Sequence, residues 1–267
     1  MVVLIAAARE FVASIMSAKG QPTFAATVWQ KIRSEPAWFW TLGLMAYFLA
    51  VLLGSMKGQV HGDVRLYHQI AVSIWHGQMP YRDFVLEYPP YAIPFFLPPG
   101  IFSGLDYYKI AFAWEVLALD ALVKVVLLWL GLRHGKRVLL PMICFSLGCA
   151  FNHYFYLQRF DLVPAAISLA MIVAFWKKKP FLAGVLLAFG AGVKLYPVLF
   201  LPPLLALAWR QRRAVRFMAG VGTGLLPLAL LTLVMPWGRF LSFHTGRGLQ
   251  VESIYAALLW FLHHFGL

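Results

Sequence analysis

Long apolar runs separated by short polar punctuation set out this chain. The runs cover residues 38–56, 109–132, 138–151, 161–176, 181–195, 197–209, 217–237 and 254–267. The first holds nineteen residues. At about 1.5 Å each they rise ~28 Å, close to the thickness of a bilayer core. Trp38 and Trp40 stand at its start as interface anchors. The pattern predicts an all-α fold, a polytopic bundle of about eight transmembrane helices. Residues 1–35 read as a cytosolic, partly amphipathic leader, held inside by Lys19, Lys31 and Arg33, and 36–267 as the membrane domain.

One stretch breaks the pattern. Residues 62–90, GDVRLYHQIAVSIWHGQMPYRDFVLEYPP, form the largest polar island and lie inside a long first extracytoplasmic loop, 57–108. Val64, Tyr67, Ile70, Ala71 and Ile74 fall on one helical face, and Arg65, His68, Gln69, Ser73 and His76 largely on others. That is the period of an amphipathic helix lying flat on a membrane surface. Gly77 ends it, and PYRDF and EYPP then force an extended, turning path. Residues 91–102 are apolar again, but Pro94, Pro98 and Pro99 break any spanning helix. A half-inserted segment that re-emerges on the same side is expected.

Composition agrees with a membrane protein: 61% of residues are hydrophobic, 12% are charged and mean hydropathy is +0.74, which excludes an ordinary soluble domain. A net charge of +13 would suit nucleic acid, but the basic residues sit in short clusters between apolar runs. Arg133, Lys136 and Arg137, then Lys177, Lys178 and Lys179, then Arg210, Arg212, Arg213 and Arg216 all fall on the leader's side. No nucleic-acid partner is expected. Asp63, Asp83, Glu87, Asp106, Asp161 and Glu252 fall on the other side, and Glu10 and Glu35 inside. Cys144 and Cys149 lie in one apolar run and are expected as free thiols packed as small hydrophobes.

The chemistry-bearing residues concentrate outside the membrane. Asp63 opens the amphipathic helix, and both a helix cap and a general base are open to it. An ionised carboxylate at a helix N-terminus serves either role. Asp83 and Glu87 stand in an extended stretch, ready to meet sugar hydroxyls or to pair with Arg65 or Arg82. Tyr67 and Tyr81 add hydroxyls to the same loop. Lys194 sits at the outer end of its run, where snorkelling and a binding role are both open. The loop HTGRGLQVE offers His244, Arg247, Gln250 and Glu252; an arginine fork suits a phosphate. Residues 152–159, NHYFYLQR, read as a short outer loop carrying His153 and Arg159, with Asp161 just beyond. This mixture of cations and carboxylates suits an anionic phosphate substrate together with a hydroxylic one. Within the second run, Asp120 and Lys124 are four apart and are expected to neutralise each other as a packing pair. No HExxH, zinc spacing, Walker loop or Rossmann fingerprint occurs, so no metal and no cofactor are expected.

The first-loop block, an aspartate opening an amphipathic helix followed by GQMPYRDFVLEYPP, resembles the first extracytoplasmic loop of GT-C membrane glycosyltransferases. The blocks QRFDLVPAA, GVKLYPVLFLPP and HTGRGLQVES resemble glycosyltransferase family 87, which contains polyprenol-phosphate-mannose-dependent alpha-1,2-mannosyltransferases. The resemblance covers roughly residues 38–267. It implies a GT-C-like fold with its active site facing away from the cytosol, in a bacterial inner membrane. It implies a polyprenyl-phosphate-linked sugar donor, a glycan or glycolipid acceptor, and transfer of mannose or a related hexose with inversion. It implies Asp63 as catalytic base and Lys194, His244 and Arg247 near the donor phosphate. Around them Arg65, Tyr67, Tyr81, Asp83, Glu87, Arg159, Asp161, Gln250 and Glu252 are expected as the substrate-binding surround. Members of the family continue beyond the point where this chain stops, HHFGL, so a C-terminally truncated member is expected. A multi-pass transporter or lipid flippase, and an inactive homologue, are the competing readings. Polar candidates gathered on one side, without paired broken helices, favour the transferase.

Overall fold

A computed structural model describes Tyr47 and residues 62–102, 104–133, 139–245 and 254–265. The expected leader, most of the expected first span, and Arg247, Gln250 and Glu252 lie outside the described residues. Within them the chain is helical: α1 (Gly62–Trp75), α2 (Ile93–Phe96), α3 (Leu105–Arg133), α4 (Leu139–Phe151), α5 (His153–Gln158), α6 (Leu162–Trp176), α7 (Pro180–Val193), α8 (Leu201–Arg210), α9 (Ala214–Leu231), α10 (Arg239–Thr245) and α11 (Ile254–His264).

The apolar face of α1 is the expected one. Val64, Tyr67, Ile70 and Ala71 are buried. The surface it meets is different. That face packs against protein, among Phe96 of α2 and Tyr108 and Phe112 of α3. Tyr67 stacks on Phe96 at 4.5 Å between ring centroids, a pairing that stabilises beyond the area it buries. Gly77 closes the helix as expected. It takes φ +79°, its N–H bonds to Ile74 O (2.9 Å) and the next N–H, of Gln78, bonds to Ser73 O (3.0 Å), the paired bonds of a Schellman stop.

Residues 90–101 form the broken segment that the prolines predict, two 3-10 turns flanking the four-residue α2. Tyr91 anchors it. Its ring lies against Gly192 of α7, where an added Cβ would come within 2.3 Å, and its hydroxyl donates to Gly224 O of α9 (3.0 Å). The stretch therefore leans into the bundle, not along its surface.

The remaining helices keep their expected places with shifted ends. α3 is 29 residues long and begins at Leu105. The stretch 152–159 is not a plain loop, because His153–Gln158 makes a helical turn and a half, α5. Part of the expected outer loop after α9 is likewise helical, as α10. One described helix, α9, has both the length and the apolar composition to cross a membrane; Pro141–Phe151, Leu162–Trp176, Pro180–Val193 and Tyr196–Arg210 are apolar but shorter. Cys149 is buried as expected, whereas Cys144 is exposed; both thiols are free.

Two ends of the bundle differ in chemistry. Lys177 lies over the Trp129 ring near the end of α3, and Arg213 donates to Lys178 O, so the basic turns after α6 and α8 meet at one end. The start of α6 and the end of α7 meet at the other.

Candidate functional site

Four charged side chains gather where α1 begins, α6 begins and α7 ends. Asp63 lies in the first turn of α1, one residue inside it, so the cap position falls on residue 61, outside the described residues. Arg159 Nε approaches Asp63 Oδ2 at 3.4 Å. Two residues on, the Asp161 carboxylate accepts from the Lys194 ammonium. All four remain partly open to solvent, with side-chain exposures of 34% for Asp63, 26% for Arg159, 52% for Asp161 and 36% for Lys194. The two carboxylates and the Lys194 ammonium are partly open at this junction, while the Nε atom of Arg159 is itself buried.

The local sequence explains the gathering. Between Arg159 and Asp161 stands Phe160, 1% exposed, wedged against Phe96 (4.9 Å), Phe95 (5.7 Å) and Tyr88 (6.0 Å). Its N–H donates to the Tyr67 hydroxyl (3.4 Å). With Phe160 locked inward, its two charged neighbours must point out of the core, one toward α1 and one toward α7. Lys194 follows Val193 as α7 ends, in extended backbone (φ −154°, ψ 142°), which releases its side chain from the helix.

Tyr67 and Tyr81, expected to touch substrate, are instead core residues, 1% and 3% exposed. The Tyr67 hydroxyl lies 3.2 Å from that of Tyr88. Burial raises both phenols above their ordinary range, and for Tyr67 the nearby charges of Asp63 and Asp161 add to the effect. The Tyr81 hydroxyl donates to Tyr88 O (2.6 Å), and this anchor holds its backbone in the left-handed region at φ 64°. A phenol must bury its ring and bond its hydroxyl, and here both needs are met inside the protein.

Asp83 takes the structural course left open for it. Its carboxylate accepts from Arg82 Nε (2.9 Å) and Nη2 (3.0 Å), and from the Met79 N–H (2.7 Å). The Arg82 bond, then the amide, lower its pKa to about 2. It braces the turn that presents Tyr81. Glu87 is half-buried beside Tyr88, and Arg65 is exposed on the outer face of α1. His244 lies on α10, its side chain outside the described set.

A residue not singled out earlier connects the two loops. Arg239, at the start of α10, donates to Tyr81 O (3.2 Å), and Phe240 is buried in the same core as α1 and α2. The 238–245 segment thus rests on the first loop. The only signal for it in the sequence is a basic residue beside aromatics in GRFLSF.

An all-helical chain with apolar helices, and with open charged groups at one end, is compatible with a membrane protein whose chemistry takes place near one surface. Residues 84–263, about two-thirds of the chain, match the model of glycosyltransferase family 87, and the chain belongs to that family. It is therefore a glycosyltransferase, and a sugar donor and an acceptor are its partners. The match takes in Arg159, Asp161, Lys194, His244 and Arg247, while α1 with Asp63 precedes it. No curated protein and no solved structure matches the chain.

Proposed function

We propose that this glycosyltransferase moves a hexose, mannose or a close relative, from a polyprenyl-phosphate donor to an acceptor hydroxyl. The reaction takes place on the extracytoplasmic side of a bacterial inner membrane, which the chain crosses about eight times with its leader in the cytosol. The observation that carries the reading is the group formed by Asp63, Arg159, Asp161 and Lys194 at the end of the bundle opposite the basic turns. Positive turns favour the cytoplasmic side, so the group faces outward.

The acceptor oxygen attacks the anomeric carbon of the sugar and its proton passes to Asp63. The bond from that carbon to the phosphate oxygen breaks, and its electron pair leaves with polyprenyl phosphate. One displacement inverts the anomeric centre. Negative charge grows on the leaving phosphate, and cations already in place stabilise it without reorganising. Lys194, His244 and Arg247 supply them. Arg65, Glu87, Arg159, Asp161, Gln250 and Glu252 line the approach, and Asp83 acts through the turn it braces.

Membranes carrying the chain, given polyprenyl-phosphate-linked mannose and candidate glycan or glycolipid acceptors, test this. Transfer is expected for the unaltered chain and is lost, by about a hundredfold or more, in Asp63→Asn at unchanged expression. Near-normal turnover of Asp63→Asn removes Asp63 as the base.

A further inference from the structure

We infer that Arg239 is a positioning residue for donor binding. Its bond to the Tyr81 carbonyl sets the 238–245 segment, and with it His244 and Arg247, in register with the loop that carries Asp63. The inference rests on the reading of His244 and Arg247 as donor-phosphate ligands.

The acceptor of this bond is a fixed point. The Tyr81 ring is buried, its hydroxyl donates to Tyr88 O (2.6 Å), and its backbone lies in the left-handed region at φ 64°. Asp83 braces the same turn through the Met79 N–H (2.7 Å) and Arg82. A carbonyl held from both sides gives a guanidinium a defined place to dock, and Arg239 Nη1 reaches it at 3.2 Å. From Tyr81 the contacts continue inward. The Tyr88 hydroxyl lies 3.2 Å from that of Tyr67, which in turn accepts from the N–H of Phe160, between Arg159 and Asp161. The segment is thereby referred to the same core that places the four charged side chains.

The segment is held at its base and open at its far end. The Trp237 indole donates to Leu228 O of α9 (2.9 Å), and Phe240 is buried with α1 and α2. Arg239 stands between these two anchors and adds the polar bond to the first loop. Beyond Phe240, Leu241, Ser242, Phe243 and Thr245 are exposed. At about 1.5 Å per residue, His244 lies ~7.5 Å past Arg239 along α10. A tilt at the base is carried over that length, and 1 Å of misplacement in a reacting site costs about a hundredfold in rate. Loss of the guanidinium leaves Trp237 and Phe240 in place, so the fold persists while the direction of α10 is released.

Two spin labels read that direction, in the full chain in lipid nanodiscs with Cys144→Ser. They are attached at Val85→Cys on the first loop and Thr245→Cys at the end of α10, both exposed positions. The chain with Arg239 should give one narrow distance. Arg239→Ala should broaden or shift it at a similar melting temperature, and Arg239→Lys, which keeps a donor at nearly the same reach, should restore it. Binding of polyprenyl monophosphate is measured alongside, with polyprenol as control. Arg239→Ala should weaken the phosphate about tenfold, the worth of one hydrogen bond to a charged group, and leave polyprenol level. An unmoved distance overturns the inference even if phosphate affinity falls, because Arg239 then touches the phosphate itself. A moved distance with unchanged phosphate affinity overturns it too. The pair His244→Ala with Arg247→Ala probes the underlying reading by itself. Weak phosphate binding by that pair, with an unmoved distance in Arg239→Ala, keeps the donor reading and removes the positioning role. Normal binding by the pair ends the donor reading and the inference built on it.

Discussion

Asp63, Arg159, Asp161 and Lys194 were each legible as polar residues outside the apolar runs, but their pairing was not. Asp63 and Arg159 are far apart in the chain, and nothing in either neighbourhood names the other. What joins them is Phe160, a residue that reads as ordinary apolar filling. Tyr67 and Tyr81 show the opposite error. A tyrosine in a polar loop suggests a ligand hydroxyl, yet each ring is buried and each hydroxyl is taken. Asp83 gives a test at this level. Its folded pKa, about 2, lies below the ordinary 3.8, so its contribution is present above about pH 4 and is lost as the pH falls toward 2. Hydrogen exchange at the Met79 amide should show protection at pH 5 that fades across that window. Replacing Asp83 with Asn should remove the pH dependence while leaving weaker protection, and a window that persists in Asp83→Asn would contradict the assignment.

The helices follow most directly from the local pattern of the chain. The faces of α1, its Gly77 stop and the proline-broken segment all follow from local rules that hold whatever surrounds them. Short aromatic pieces carry no such signal. HYFYLQ is too brief to show a period, and it is helical because Leu157 and Gln158 bury against the bundle. The seam between α7 and α9 is a further case, since its glycines look like helix weaknesses until the partner is seen. A Cβ on Gly220 would come within 2.0 Å of Phe181 O, and one on Gly184 within 2.1 Å of Phe217 O. Small residues let the two backbones touch, the usual basis of helix association in lipid. Gly220→Val should force them apart and strain the Tyr91 bond to Gly224, lowering stability by about 1–3 kcal/mol or more. Gly222, two residues away with open space around it, should accept Ala at no loss. Thermal unfolding in detergent compares the two, and equal melting temperatures would refute the close seam.

Across the molecule, buried charge does the joining that apolar packing cannot specify. Asp120, fully buried, accepts from Lys124 Nζ, Tyr47 and Tyr156, each at 2.6 Å, and the ammonium also lies 4.1 Å from the centre of the Tyr47 ring. The expected pair with Lys124 is present, and two tyrosines from distant parts of the chain complete it. Asp120→Ala leaves Lys124, 13% exposed, without its carboxylate and should cost about 3–5 kcal/mol. Asp120→Asn, which keeps an acceptor, should cost less. A melting temperature for Asp120→Ala equal to that of the unaltered chain would refute the network. The apolar runs, the prolines and the basic clusters are enough to establish a helical chain, the broken segment and two ends of unlike charge. Such features depend on near neighbours and on the cost of moving polar groups into lipid. Which carboxylate meets which cation, and which hydroxyls are spent on the core, depends on groups brought together only when the helices pack.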